Sequence, residues 1–125
     1  MILDTNALSA FVDGDPALGR ALAREDELAL PVMVLGEYLF GVWASRSRTR
    51  YENWLRTNLP LFTFLPAGRE TARHYAEVRR ELKQKGSPIP SNDIWIAALA
   101  REHALPVVSR DRHLDAVAGL RVVGW

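Results

Sequence analysis

The first eleven residues read MILDTNALSAF, Met1 to Phe11. A short apolar run, Ile2-Leu3, leads straight into Asp4, with Thr5 and Asn6 behind it. Stability alone gives no reason to end an apolar run on a carboxylate. In a parallel α/β sheet, however, sites form just beyond the carboxyl ends of the strands. The reading of Asp4 therefore turns on whether the rest of the chain alternates strands with helices.

It does. Strand-like runs fall at Ile2–Leu3, Glu27–Leu30, Leu61–Leu65, Pro106–Ser109 and Leu120–Val123. Between them lie segments of helical period, the pattern of a parallel sheet with crossover helices. Asp15-Pro16 reads as an N-cap and first helical position, with Leu18, Ala21 and Leu22 following. Met33 to Trp43 is apolar at most positions and reads as a well-buried helix. Ser47 or Thr49 opens another helix, with Tyr51, Trp54, Leu55 and Leu59 at helical spacing. Arg69 to Lys85 is long and amphipathic and stops at Gly86. Ser91 or Asn92 is expected to cap the last helix, Asp93 to His103. No repeat, linker or low-complexity tract interrupts this order, so residues 1–125 read as one domain.

Composition narrows the function classes. A net charge of +1 argues neither for nor against a polyanionic partner. The absence of cysteine excludes disulfides, thiolate metal sites and cysteine nucleophiles. No apolar run approaches the ~20 residues of a membrane helix, and the N-terminus lacks the pattern of a signal peptide. A cytoplasmic protein is expected.

Four carboxylates then stand out. Asp4 and Asp111 follow the first and fourth strands, so both belong to one rim of the sheet. Asp93 opens the helix directly before the fourth strand, and Glu37 sits inside the apolar stretch VMVLGEYLFG. A charge in such surroundings is costly unless it is paired or holds a metal. Gly36 and Gly41 beside it weaken the helix and let another backbone come close. Each acid has a structural reading as well: Asp4 as a helix cap, Asp93 at the positive end of a helix dipole, Asp111 as a loop residue, Glu37 on a solvent strip or paired with Arg. If all four converge, their repulsion, about 4 kcal/mol for a pair ~4 Å apart at an effective dielectric of 20, calls for protons or a divalent cation. Oxygen donors of this hardness suit Mg²⁺ or Mn²⁺, and hydrolysis of a phosphodiester is chemistry such ions serve. Thr5, Asn6, Asn92 and Ser109 stand within two residues of these acids, placed to orient them. His74, His103 and His113 read as structural or surface residues, and Asp13, Asp15, Asp26 and Asp115 as dispensable.

These residues carry a resemblance. ILDTN, Glu37 in its apolar helix, PIPSNDIWIAALA and VVSRDRHL…GLRVVGW, four motifs in order from Met1 to Trp125, resemble PIN-domain ribonucleases. The size is nearest to VapC-type toxins of toxin–antitoxin pairs. The resemblance implies a three-layer α/β/α sandwich around a mainly parallel sheet of four to five strands. It implies a Mg²⁺- or Mn²⁺-dependent endoribonuclease, homodimers, and neutralisation by a small VapB-like antitoxin. Its acidic residues fall on Asp4, Glu37, Asp93 and Asp111. Ser109 stands where the motif commonly has Thr, and LPVMV lacks the Ser or Thr that often opens the helix carrying Glu37.

Arg110 and Arg112 flank Asp111 and are expected to hold substrate phosphates. Arg46, Arg48 and Arg50 could do the same or line a solvated face. Trp43, Tyr51 and Trp54 read as core or as a groove for a partner. A haloacid-dehalogenase-type phosphatase is a poorer match: it needs an acid where Asn6 stands and a late lysine, and the last is Lys85. A response-regulator receiver needs an acceptor Asp where the third strand ends in Leu65-Pro66. A catalytically idle PIN-like module would be free to lose its repelling charges, and this chain keeps all four.

Overall fold

Five short strands form one parallel sheet: β1 (Ile2–Leu3), β2 (Leu28–Pro31), β3 (Phe62–Leu65), β4 (Val107–Val108) and β5 (Val122–Val123). The computed structural model describes all 125 residues. Strand order is β3-β2-β1-β4-β5. Ile2 pairs with Ala29 on one side and Val107 on the other, so β1 is central. The chain builds outward from β1 to β3, then crosses back to add β4 and β5 on the opposite side. The order reverses between β1 and β4, the position at which α/β sheets place their sites.

The helices are α1 (Thr5–Val12), α2 (Pro16–Leu22), α3 (Val32–Trp43), α4 (Arg48–Asn58), α5 (Arg69–Lys85) and α6 (Ser91–His103). Right-handed crossovers put α1 to α4 on one face of the sheet, and the reversal after β3 puts α5 and α6 on the other. Ile2, Leu3, Leu30, Val107 and Val108 are fully buried between the two layers. The expected α/β/α sandwich is therefore the fold.

The buried helix is not the one the sequence suggested. α6 is the buried one: Ile94, Ile96, Ala97, Ala98, Leu99 and Ala100 are all inside, and its alanines permit close packing. α3 buries only the stripe Val34, Tyr38 and Val42. Phe40 is 79% exposed and Trp43 56%. An outer-layer helix has only one face to give to the sheet, whatever its composition. Gly36 and Gly41 admit no close neighbour either, since a Cβ at each meets nothing within 4 Å. Gly36→Ala is therefore expected to stabilise the fold by about 0.8–1 kcal/mol, read as a higher urea midpoint at unchanged slope.

Helix starts also differ in detail. Asp15 caps α2 as expected, accepting from the N–H groups of Ala17 and Leu18. Neither Ser91 nor Asn92 caps α6. Pro90, held extended, is the N-cap residue, and its carbonyl accepts from Asp93 and Ile94. Asp93 thereby enters the first turn of α6, where the helix dipole favours its charge. α3 follows Pro31 with no side-chain cap, in line with the missing hydroxyl in LPVMV.

Candidate active site

Asp4 follows the central strand and is only 5% exposed. Its carboxylate does two things at once. Oδ1 accepts from the Ala7 N–H at 2.7 Å, which starts α1, and Oδ2 accepts from the Ser109 hydroxyl beyond the end of β4. Ser109, itself buried, accepts in turn from the Asp111 N–H at 2.8 Å. The cap reading of Asp4 holds, and its second oxygen is left to face Ser109 and the rim. One hydroxyl joins the ends of β1 and β4 across the switch point, tying the Asp4 carboxylate to the Asp111 backbone.

Asp111 ends β4's outgoing loop and caps the 3₁₀ turn Arg112–Ala116 by accepting from the His113 N–H at 2.9 Å. Asp93 faces it from α6. Glu37 comes from α3 and is exposed, not enclosed by apolar neighbours as its sequence context suggested. Thr5 holds it, donating its hydroxyl to Oε2 at 2.6 Å. Asn6 lines the groove beside Glu37. Asn92 is exposed, and no hydrogen bond ties either Asn side chain to a carboxylate.

The electrostatics register this crowding. Burial pushes the Asp4 carboxyl above its ordinary value; the hydrogen bonds from Ser109 and Ala7 oppose the rise, and the charges of Asp111 and Glu37 add to it. Asp93 is raised by burial first and by the Asp111 charge next, with His113 pulling it down. Two acids held in water-poor surroundings near further negative charge form a site that attracts a cation.

His113 is at the surface, as expected, but beside two of the acids. His113 Nδ1 lies 3.0 Å from Asp111 Oδ1 and 3.4 Å from Asp93 Oδ2. These three residues, Asp93, Asp111 and His113, present donor atoms within 4.8 Å of one another and form a possible metal-binding group. Asp4 and Glu37 stand outside that radius. The spacing Asp-x-His after a strand end was the available signal. Carboxylate oxygens with one imidazole suit a hard or borderline divalent ion.

Arg110 is turned away from the acids. Its guanidinium stacks over the Trp125 ring at 4.3 Å, Nε donates to the Trp125 carbonyl, and Nη2 lies 3.6 Å from Asp15. Trp125 Nε1 donates to the same Asp15, so this trio anchors the last residue to α2. Arg112 is exposed at the start of the 3₁₀ turn and forms no ion pair. Arg48 pairs with Glu52 at 2.8 Å and lies over Trp43, while Arg50 lies over Tyr51. Trp54 packs edge-on against Phe11 as part of the core's rim.

A groove of about 320 Å³ leads away from Glu37. Thr5, Asn6, Ser9, Gly41, Ser45 and Tyr51 line it, between α1, α3 and α4.

The family model of the PIN domain matches residues 1–120. The chain belongs to the PIN domain family. This PIN domain is similar to Ribonuclease VapC5 of Mycobacterium tuberculosis, at 33% identity over 94% of this chain and 87% of that protein. Its fold superposes on the crystal structure of FitAcB from Neisseria gonorrhoeae with a TM-score of 0.87 at 28% identity, covering 97% of this chain and 94% of that one. VapBC2 from Rickettsia felis, solved bound to a DNA fragment from its promoter, shares the fold at a TM-score of 0.88 and 24% identity, covering 99% of this PIN domain and 97% of that chain.

Proposed function

We infer that this protein, a single PIN domain over residues 1–125, is a metal-dependent endoribonuclease and the toxin of a toxin–antitoxin pair. One observation carries the reading. In a chain of this family, buried Asp4 is joined through Ser109 to Asp111 at the sheet's switch point, with Asp93 and Glu37 facing the same rim. Asp4, Glu37, Asp93 and Asp111 are the catalytic set that would hold the ion, directly or through water. When bound, Mg²⁺ or Mn²⁺ supplies Lewis acidity toward the scissile phosphate and lowers the pKa of an attacking water. The chain's own residues do the rest. Ser109 ties the Asp4 carboxylate to the Asp111 backbone, Thr5 fixes Glu37, and the first turn of α6 presents Asp93. Asn6 and Asn92 flank the acids on the open side, where an unstacked RNA strand enters. Arg112 is free to take a phosphate there; Arg110 is committed to Trp125. Cleavage of single-stranded RNA that stops on chelation and returns with added ion tests the reading.

No helix is long and apolar enough to cross a membrane, and the cytoplasm is where RNA and a toxin's targets are met. The partner is a small VapB-like antitoxin. The groove from Glu37 to Tyr51 accepts an amphipathic segment in helix-in-groove fashion, and a basic side chain on that segment reaches the carboxylates in place of the cation. The exposed Phe40 and Trp43, one turn apart on α3, and Leu61 and Phe64 on and beside β3 leave apolar surface for a homodimer and a larger assembly with antitoxin.

A bound ion favours the folded state only. At a concentration a hundredfold above its Kd, Mn²⁺ is expected to stabilise the protein by about 2.7 kcal/mol. Protonation of Asp4 and Asp93, both titrating above their ordinary value, removes the donors. The rise in melting temperature on adding Mn²⁺ should therefore be full at pH 7 and shrink as the pH falls toward 4. A rise independent of pH would place the ion elsewhere.

A further inference from the structure

We propose that His113 is a ligand of the ion, binding it through Nδ1 and turning an all-oxygen carboxylate site into a mixed oxygen–nitrogen site that favours Mn²⁺ over Mg²⁺. The proposal rests on the reading of the acidic cluster as a metal site and adds to it the donor that decides which ion is held.

Three observations carry it. The first is distance. Nδ1 lies 3.0 Å from Asp111 Oδ1 and 3.4 Å from Asp93 Oδ2. Donors bound at about 2.0–2.2 Å and at right angles about one ion stand about 3 Å apart. The nitrogen thus holds the same spacing to the oxygens that ligands of a common ion hold to one another.

The second is direction. Nδ1 faces two carboxylate oxygens, and carboxylate oxygens only accept. A proton on Nδ1 bridges it to these oxygens when no ion is bound, and an ion that replaces that proton meets the nitrogen and both oxygens at once. The third is how the ring is placed. Asp111 accepts from the His113 backbone N–H at 2.9 Å, so the acid that begins the 3₁₀ turn also fixes the residue two positions on. The turn Arg112–Ala116 is tied down by Leu114, which is fully buried. Imidazole is a donor that Mn²⁺ accepts more readily than Mg²⁺, which prefers oxygen and water.

The test uses the full chain, freed of metal and loaded with one equivalent of Mn²⁺ at pH 8. Electron spin-echo modulation reads directly bound nitrogen without reference to activity. The wild type is expected to show ¹⁴N modulation of the size that a bound imidazole gives, and His113→Ala to lose it. His74 on α5 and His103 at the end of α6 are not in the cluster, so the loss assigns the nitrogen. Titration should show His113→Ala weaker for Mn²⁺ by about tenfold or more and nearly unchanged for Mg²⁺. His113→Gln, which offers an oxygen within similar reach, guards against a folding artefact: it should retain ion binding and lack the ¹⁴N signal. Ion-dependent RNA cleavage without any ¹⁴N coupling, or with coupling that survives in His113→Ala, overturns this proposal and leaves the nuclease reading standing. A wild type that neither binds Mn²⁺ nor cuts RNA overturns both.

Discussion

Asp4→Asn is expected to abolish RNA cleavage and, in the absence of metal, to melt at a higher temperature than the parent. The two effects have one origin. The amide loses the charge that helps hold a cation, and a Lewis acid contributes several kcal/mol to the transition state. At ~1.4 kcal/mol per decade, cleavage should fall about a thousandfold or more. The fold gains for the same reason. Asp4 is buried and faces other acids, so its charged form is costly when no ion is present. Asn preserves the shape, still accepts from the Ala7 N–H, and is as good an N-cap residue as Asp. The sign follows from the direction of the shift. The carboxyl titrates higher in the folded state than its ordinary 3.8. Its cost is fully present above the folded value and disappears as the pH falls through that value toward 3.8. The gain from Asn should therefore be largest near neutral pH and vanish in acid. An Asp4→Asn protein that cuts RNA normally would remove Asp4 from the mechanism, and one that melts lower at pH 7 would contradict the electrostatic account of the site.

Expression of the chain alone should arrest bacterial growth, and expression of its Asp4→Asn variant should not. Co-expression of its small partner should relieve the arrest. The groove at Glu37 makes this relief breakable at a chosen point. Gly41 lines it, and a Cβ there meets nothing within 4 Å, so Gly41→Leu fills the groove without disturbing the core. Losing one well-packed anchor is worth about 2 kcal/mol, or roughly thirtyfold in affinity. Gly41→Leu is expected to stay toxic and to escape the partner. Full relief of Gly41→Leu would move the antitoxin to another face, such as Phe40 and Trp43. Harmless expression of the wild type would favour a housekeeping PIN nuclease over a toxin.

The strand-end rule made most of this site readable. Asp4 and Asp111 were found because each follows a short apolar run, and adjacent parallel strands bring such residues to one rim. Asp93 stood out because it opens the helix directly before the fourth strand, and it does lie in the first turn of α6. The misreadings have physical causes too. α3 is apolar around most of its circumference, and composition does not say which side meets the sheet, so Glu37 could be read as enclosed or on a solvent strip; it stands at the surface. Arg110 was read against its neighbour in sequence, whereas its partners are Trp125 and Asp15, far along the chain in both directions. His113 approaches Asp93 only through the 3₁₀ turn that Asp111 caps, and no hydropathy period announces so short a turn. That Asp4 both caps α1 and faces the site is invisible from spacing, because the two roles use different oxygens of one carboxylate.

The central claim is that this cluster of acids hydrolyses RNA by way of a divalent ion. The most direct measurement takes the purified chain, strips it of metal with EDTA, and follows a labelled single-stranded RNA pool with Mg²⁺, Mn²⁺ or no ion returned. Internal cleavage should be absent in EDTA, recover with either ion in proportion to its binding, and remain absent from Asp4→Asn under every condition. Cleavage that continues undiminished in EDTA, or RNA that stays intact at saturating Mg²⁺ and Mn²⁺, would contradict the account.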